Sequence, residues 1–362
     1  MALSTEPRDG RSLTVTSGEL TGALGDSVTV LPVVVALGAL TSASLPHVLL
    51  LFGAFQVVWG VVYGLPLSVE PMKALAGLAI AGTISYAELA AAGLLAGAAL
   101  LVAGRTGALA RLERYVGEPV VRGVQLAVAL LLARAGFDLG VADPALALAA
   151  ACLVTVVAVA GHRRAAALVV LGAGGVLALA ATGVPTPTLP ALRPFPAGLP
   201  RLSTGAVEGA AAQLAMTVGN AAVATSLLCS DLFDADVAAD DLASSMGATC
   251  LVAVPLGGLP MCHGSGGLAG KYAFGARTGG ANLVLGALYV GAALAVGLVA
   301  AFPMAVLGVL LLLVAVQLVL SARETGMPLL TLVVGVVGLL WNVGAAFVLG
   351  LAAWLVLTRG SY

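Results

Sequence analysis

Leu65-Pro66-Leu67-Ser68-Val69-Glu70-Pro71-Met72-Lys73 sets two prolines and two charges where an apolar run should begin. Later in the chain, Leu259-Pro260-Met261-Cys262-His263-Gly264-Ser265-Gly266-Gly267-Leu268-Ala269-Gly270 does the equivalent. Neither stretch suits a regular helix throughout, because Pro lacks a backbone donor and Gly favours irregular backbone. Irregular backbone at membrane depth survives only when buried in protein or facing a water-filled cavity. The short helices after the two breaks are expected to aim their N-termini at one central point. Each such end offers unpaired N–H groups and about half a positive charge. Two of them facing each other make an anion site without an arginine. The competing reading is a pair of ordinary Pro/Gly kinks, but matched positions in two halves are hard to reach by accident.

The surroundings of both stretches are membrane-like. The 362 residues are 60% hydrophobic and only 9% charged, with 47 glycines. A soluble domain carries about a quarter charged residues, so this chain cannot cover a water-facing surface and its solvent is the lipid bilayer. Abundant Gly and Ala suit close packing of membrane helices. A net charge of −1 leaves no basic excess to attract nucleic acid. Cys152, Cys229, Cys250 and Cys262 lack CxxC spacing and read as free thiols, so neither a metal site nor a cofactor is expected. Residues 1–18 are polar without an apolar core, so no cleavable signal peptide is expected and the first span directs insertion.

A span needs ~20 mostly apolar residues, fewer where a helix is broken. This places spans near 20–39, 46–64, 66–82, 88–104, 118–138, 143–160 and 165–184, then near 204–229, 240–258, 261–276, 281–301, 303–321, 327–340 and 342–358. The expected fold class is an all-α polytopic membrane protein of about fourteen transmembrane segments. The first repeat occupies 19–184, a Pro-rich connector 185–203 and the second repeat 204–362, after a tail at 1–18. An odd number of spans per half inverts the second half, giving a 7+7 inverted repeat with broken third and tenth segments. A shift of about 194 positions lays Asp26 on Asn220 and Pro66 on Pro260, a weak internal correspondence of that kind.

With both termini cytoplasmic, Arg8, Arg11, Arg105, Arg111, Arg114, Arg163, Arg164, Lys271, Arg277, Arg323 and Arg359 fall inside, and only Arg193 and Arg201 outside. The acidic loop Asp231 to Asp241 would also be cytoplasmic. Lys73, Arg122 and Arg134 fall within spans. The expected location is a cell membrane, crossed many times.

Intramembrane polar residues normally face a protein interior or cavity. Asp26 follows Gly22-Ala23-Leu24-Gly25 in the first span, and Gln213, Thr217 and Asn220 share one face of the eighth. Hydrogen bonds between helices, worth ~1 kcal/mol or less each, are the alternative role for these three. Expected substrate-lining residues are Ser68, Val69, Glu70, Gln213, Thr217, Asn220, Cys262, His263, Gly264, Ser265 and Gly266. Asp26, Glu70 and His263 are proton-coupling candidates, because a desolvated carboxyl or an imidazole titrates near neutral pH. Lys73, three residues from Glu70, and Arg122 are candidate charge partners, although Arg122 also suits a snorkelling helix end.

Gly22-Ala23-Leu24-Gly25-Asp26, the run Pro66 to Lys73, Val121-Arg122-Gly123-Val124-Gln125-Leu126 and Pro260 to Gly270 resemble the signature motifs of the molybdate transporter family, distant relatives of the sulfate permeases. Lys271-Tyr272-Ala273-Phe274-Gly275-Ala276-Arg277 continues the likeness, which spans Gly18 to about Leu320. The resemblance implies uptake of a tetrahedral oxyanion, molybdate ahead of sulfate or tungstate, with H+ as the coupling ion. It implies the inverted-repeat fold shared with sulfate and uracil permeases, a substrate between the third and tenth segments, and one bundle moving against the other. The chain departs from the family pattern at Glu70, where Gln is usual. A carboxylate there weakens oxyanion binding unless it is protonated or paired with Lys73. A homodimer is compatible with the sequence, which does not set the oligomeric state.

Nucleobase or carboxylate transport on the same fold is the alternative function, and a channel is an alternative of another class. An intramembrane hydrolase built on His263 and Ser265 is not expected, because side chains two apart on a helix do not face each other.

Overall fold

The computed structural model describes residues 13–109, 117–163, 165–191 and 193–358. The charges counted above at Arg8, Arg11, Arg111, Arg114, Arg164 and Arg359 lie outside the described residues, as does the side chain of Asn220.

The chain is mostly helical. Helix α1 (Ser17–Leu40) starts where the Thr16 side chain accepts from Glu19 N at 3.3 Å. α2 (Leu45–Tyr63) ends at Gly64 in the left-handed region. Two extended residues follow, β1 (Glu70–Pro71), and then the eight-residue α3 (Lys73–Ile80). α4 (Tyr86–Thr106) is opened by a reciprocal Ser85–Glu88 capping box. α5 (Glu118–Val141) and α6 (Pro144–Val157) begin with Pro in the first turn, where a missing N–H costs nothing. A wide turn at Ala158–His162, with Gly161 at φ 90, leads to α7 (Ala166–Thr182).

The connector is pinned to its neighbours. Arg201 pairs with Glu88 at 2.7 Å and His47 reaches Ala191 O at 3.0 Å. His47 itself lies in the first turn of α2 and is buried. The second half comprises α8 (Thr204–Met216), a π-helical stretch (Thr217–Ala222) and α9 (Val223–Phe233), then α10 (Ala239–Ala253). Next come β2 (Met261–Cys262) and α11 (Ser265–Ala273). α12 (Gly280–Leu294), α13 (Val296–Ala300), α14 (Met304–Ala322), α15 (Pro328–Leu340) and α16 (Val343–Thr358) complete it. The apolar run at 281–301 is therefore two helices, parted at Ala295.

Among the described residues, seven helical stretches are long and apolar enough to cross a membrane, Ser17–Leu40, Leu45–Tyr63, Tyr86–Thr106, Glu118–Val141, Pro144–His162, Thr204–Phe233 and Met304–Ala322. Ala166–Thr182, Gly280–Leu294, Pro328–Leu340 and Val343–Thr358 are shorter and equally apolar. Leu148, Val156 and Val159 on and just after α6 are exposed, a surface suited to lipid and costly in water.

α2 packs on α12, α4 on α10, and α5 on both α14 and α15. The α4–α10 contact shows why small residues are frequent. A Cβ added at Gly247 would stand 2.5 Å from Leu101 N and 2.6 Å from Gly97 O, so only glycine lets these backbones touch. The two broken segments pack against α1, α4, α5, α8, α9 and α10, and α2 and α12 reach them through Gln56 and Asn282.

Candidate functional site

The two proline-bearing breaks meet. β1 and β2 pair antiparallel with Glu70 opposite Cys262 and Pro71 opposite Met261, and Met72 N donates to Pro260 O at 2.9 Å. Proline's fixed φ and missing donor hold each stretch extended, and helix begins only beyond it, at Lys73 and at Ser265.

The two helix starts are not equivalent. Sequence reasoning expected unpaired N–H groups at both. At α3 they are taken, since Ala74 N and Leu75 N donate to Gln213 Oε1 at 2.9 and 3.4 Å. Gln213 Nε2 in turn donates to Thr217 Oγ1 at 3.0 Å. At α11 a carboxylate of the chain itself lies across the first turn. A Cβ on Gly264 would run into the Glu70 carboxylate, and one on Gly267 would strike Glu70 Oε1, Ser68 Oγ and Asp26 Oδ1. Gly266, by contrast, is exposed and borders open space.

Two ion pairs flank this point. Lys73 Nζ contacts Glu70 Oε2, and Lys271 Nζ lies 3.3 Å from Asp26 Oδ2 with both side chains fully buried. The Lys271 ammonium donates to Gln56 Oε1 at 3.2 Å, Leu67 O at 3.2 Å and Asn282 Oδ1 at 2.8 Å. Asn282 Nδ2 also donates to Leu67 O (2.6 Å), and Gln56 Nε2 to Val69 O (3.1 Å). These bonds hold the irregular backbone of residues 67–69 in place of a helical ladder. Ser68 Oγ sits between the two acids, 2.7 Å from Asp26 Oδ1 and 3.2 Å from Glu70 Oε1.

His263 stands to one side. Its Nδ1 faces Ser68 O at 3.1 Å, and a carbonyl only accepts, so Nδ1 carries hydrogen. Nε2 is 2.9 Å from Ser245 Oγ. Trp59 and Tyr63 meet the ring edge-on, with centroids at 5.9 and 6.0 Å. Thr225 Oγ1 bonds the His263 carbonyl at 3.1 Å. Cys262 and Val69 are buried beside the strand pair, and Ser265 opens α11.

Of the residues singled out from sequence, the fold therefore gathers Asp26, Ser68, Val69, Glu70, Lys73, Cys262, His263, Gly264, Ser265 and Gly266, with Gln213 and Thr217 at the start of α3. Two assignments need correction. Arg122 is not a partner of this cluster: it pairs with Glu118 one turn back at 3.0 Å and with Glu324 at 3.9 Å, and donates to Gln125 at 3.2 Å. Lys271, counted above among the cytoplasmic charges, is fully buried, because the short α11 carries its side chain inward to Asp26. Gln56 and Asn282 were missed, although a lone amide in an apolar run is itself a signal. A surface cavity of about 500 Å³, lined by Gly161, His162, Arg163, Ala165 and Phe274, lies between the α6–α7 turn and the end of α11, away from the paired charges.

The sequence profile of the family described as "Molybdate transporter of MFS superfamily" matches residues 18–132 and 205–318. The chain is 29% identical to Molybdate transporter 2 of Arabidopsis thaliana over 85% of this chain and 79% of that one. It is 31% identical to Molybdate transporter 1 of the same plant over 95% and 89%. In three dimensions it resembles the transmembrane domain of a cyanobacterium bicarbonate transporter, BicA (TM-score 0.67, 18% identity, 91% of this chain and 96% of that). The murine Solute Carrier 26 family member A9 anion transporter, in its inward-facing state, is also similar (TM-score 0.67, 12% identity, 98% and 69%). These two likenesses show a shared fold. With the profile covering more than half its length in two matched halves, the chain belongs to the molybdate transporter family.

Proposed function

We propose that this chain carries a tetrahedral oxyanion, molybdate before sulfate or tungstate, across a cell membrane in symport with protons. The observation that carries this reading is the α11 N-terminus, open at Gly266 and flanked by the Lys73 ammonium. Backbone N–H groups at a helix start and a nearby cation suit a dianion. Ser265 opens the same helix beside Gly266.

In this reading the segments form two inverted halves, 19–184 and 204–362, with cytoplasmic termini. The helices around the paired strands move as one body against those built on α5, α14 and α15, exposing the site to each side in turn. Asp26, Glu70 and His263 are the titratable groups placed to couple that cycle to protons.

The test is molybdate uptake into proteoliposomes under an inward proton gradient, with and without excess sulfate. Uptake that sulfate barely touches is expected. Uptake abolished by modest sulfate would make the protein a general oxyanion carrier, and no uptake of either anion would sink the reading.

A further inference from the structure

We propose that Asp26, Ser68 and Glu70 hold the coupling proton, one hydrogen that links two carboxyl groups through a hydroxyl, and that filling this place turns the cluster into an anion receptor. The inference rests on the proton-coupled reading above and specifies its site.

Hydrogen bookkeeping supplies the argument. Ser68 Oγ lies 2.7 Å from Asp26 Oδ1 and 3.2 Å from Glu70 Oε1. A hydroxyl has one hydrogen and an ionised carboxylate has none. With both acids ionised, one of these contacts sets lone pair against lone pair in a buried place, where that repulsion is costly. A proton on Glu70 Oε1 mends it: Glu70 donates to Ser68, and Ser68 donates to Asp26.

Charge counting gives the consequence. Asp26 and Glu70 face Lys271 and Lys73, so the ionised cluster sums to zero. One added proton leaves a single positive charge, and its location follows from the two lysines' surroundings. Lys271 is fully buried and gives its hydrogens to Gln56, Leu67 and Asn282, so it stays beside Asp26. Lys73 keeps 20% of its side chain exposed and has Glu70 as its ion-pair partner. Neutralising Glu70 therefore frees Lys73, and it frees the first turn of α11 that the carboxylate now covers.

Other titratable groups lie nearby. Cys262 on β2 is a buried thiol, and the nitrogens of His263, the next residue, face Ser68 O and Ser245 Oγ. On α12 the Tyr289 hydroxyl is buried and, among the described residues, makes no hydrogen bond. At the start of α1 the Glu19 carboxylate accepts from Arg277 N, Thr278 N and Ala281 N. Proton and anion thus help each other to bind, and by linkage the help is reciprocal.

The experiment uses the full chain, reconstituted, with molybdate as probe. Adding molybdate in weak buffer should draw in about one proton per anion bound, and affinity should fall about tenfold per pH unit on the alkaline side. Glu70→Gln should bind molybdate without proton uptake and with no pH slope. Ser68→Ala should shift the midpoint of the pH dependence downward, because the protonated carboxyl loses its acceptor. Molybdate binding by the parent protein without proton uptake, or uptake persisting in Glu70→Gln, overturns the proposal. An anion-free measurement separates this from failure of the oxyanion reading. The infrared band of a protonated carboxyl should vanish on alkalinisation of the parent protein, shift in Ser68→Ala and be missing from Glu70→Gln. If the parent spectrum holds no such band, the proposal fails whatever the substrate proves to be.

Discussion

A lysine ammonium has three hydrogens, and Lys271 gives all of them to neutral oxygens on α2, the first break and α12. Asp26 Oδ2 lies 3.3 Å from that ammonium, a longer contact than those three. Removing one member of such a pair strands the other in low dielectric, at a cost of about 3–5 kcal/mol. Lys271→Met should therefore lower the melting temperature in detergent sharply. Asp26→Asn added to it should recover part of the loss, because the stranded charge is then gone. A double variant no more stable than Lys271→Met would show the pair to be uncoupled. Glu70 and Lys73 follow a different rule, since they lie three apart at the mouth of α3 and one of them reaches solvent.

The short helix α11 sets the next scale. Two of its glycines adjoin in sequence and differ in surroundings. Gly267 faces Glu70, Ser68 and Asp26 at less than van der Waals separation for any added carbon, whereas Gly266 has nothing within 4 Å. Gly267→Ala should destabilise the protein by about 1–3 kcal/mol through overpacking. Gly266→Ala should leave the melting temperature nearly unchanged, since alanine favours helix, yet raise the KM for molybdate by narrowing the open side of the proposed site. Equal melting losses in the two variants would contradict this geometry. The breaks before α3 and α11 were legible in the sequence because proline acts through its own covalent structure, wherever the chain folds. The Glu70–Lys73 pair was legible for a similar reason, being three residues apart. Lys271 was not. It lies between an apolar run and Arg277, which reads as a loop edge, and only the approach of α1, α2 and α12 turns that position inward. The cap that Gln213 places on α3 was hidden too, because it joins positions more than a hundred residues apart.

At the scale of the whole molecule, the elements around the paired strands meet the α5 group at several places, α3 against α5 and α1 against α14 among them. Another sets Gly219, in the π-helical stretch, against Val121 on α5. A Cβ built on Gly219 would lie 3.4 and 3.8 Å from the two Val121 methyl carbons, so side chains at the two positions would touch. Val121→Cys with Gly219→Cys, made in a background lacking the exposed Cys152, should cross-link under mild oxidation and stop uptake until reduced. Full transport with the bridge intact would mean that this contact does not move in the cycle. The outward apolar faces and the pairing of α2 with α12 and α4 with α10 follow from hydropathy and small-residue packing. Which bundle carries the charges depends on contacts between distant segments, and sequence pattern alone does not fix those.

The main-chain bond from Met72 N to Pro260 O has a mechanical consequence. It sews the first half of the chain to the second where the two proline-bearing breaks meet. The walls of the site are thus stitched together like the halves of a purse, and neither can be drawn aside while the other stays. An anion lodged there would meet the same lining whichever door stood open, so selectivity measured from one face of the membrane should match selectivity measured from the other.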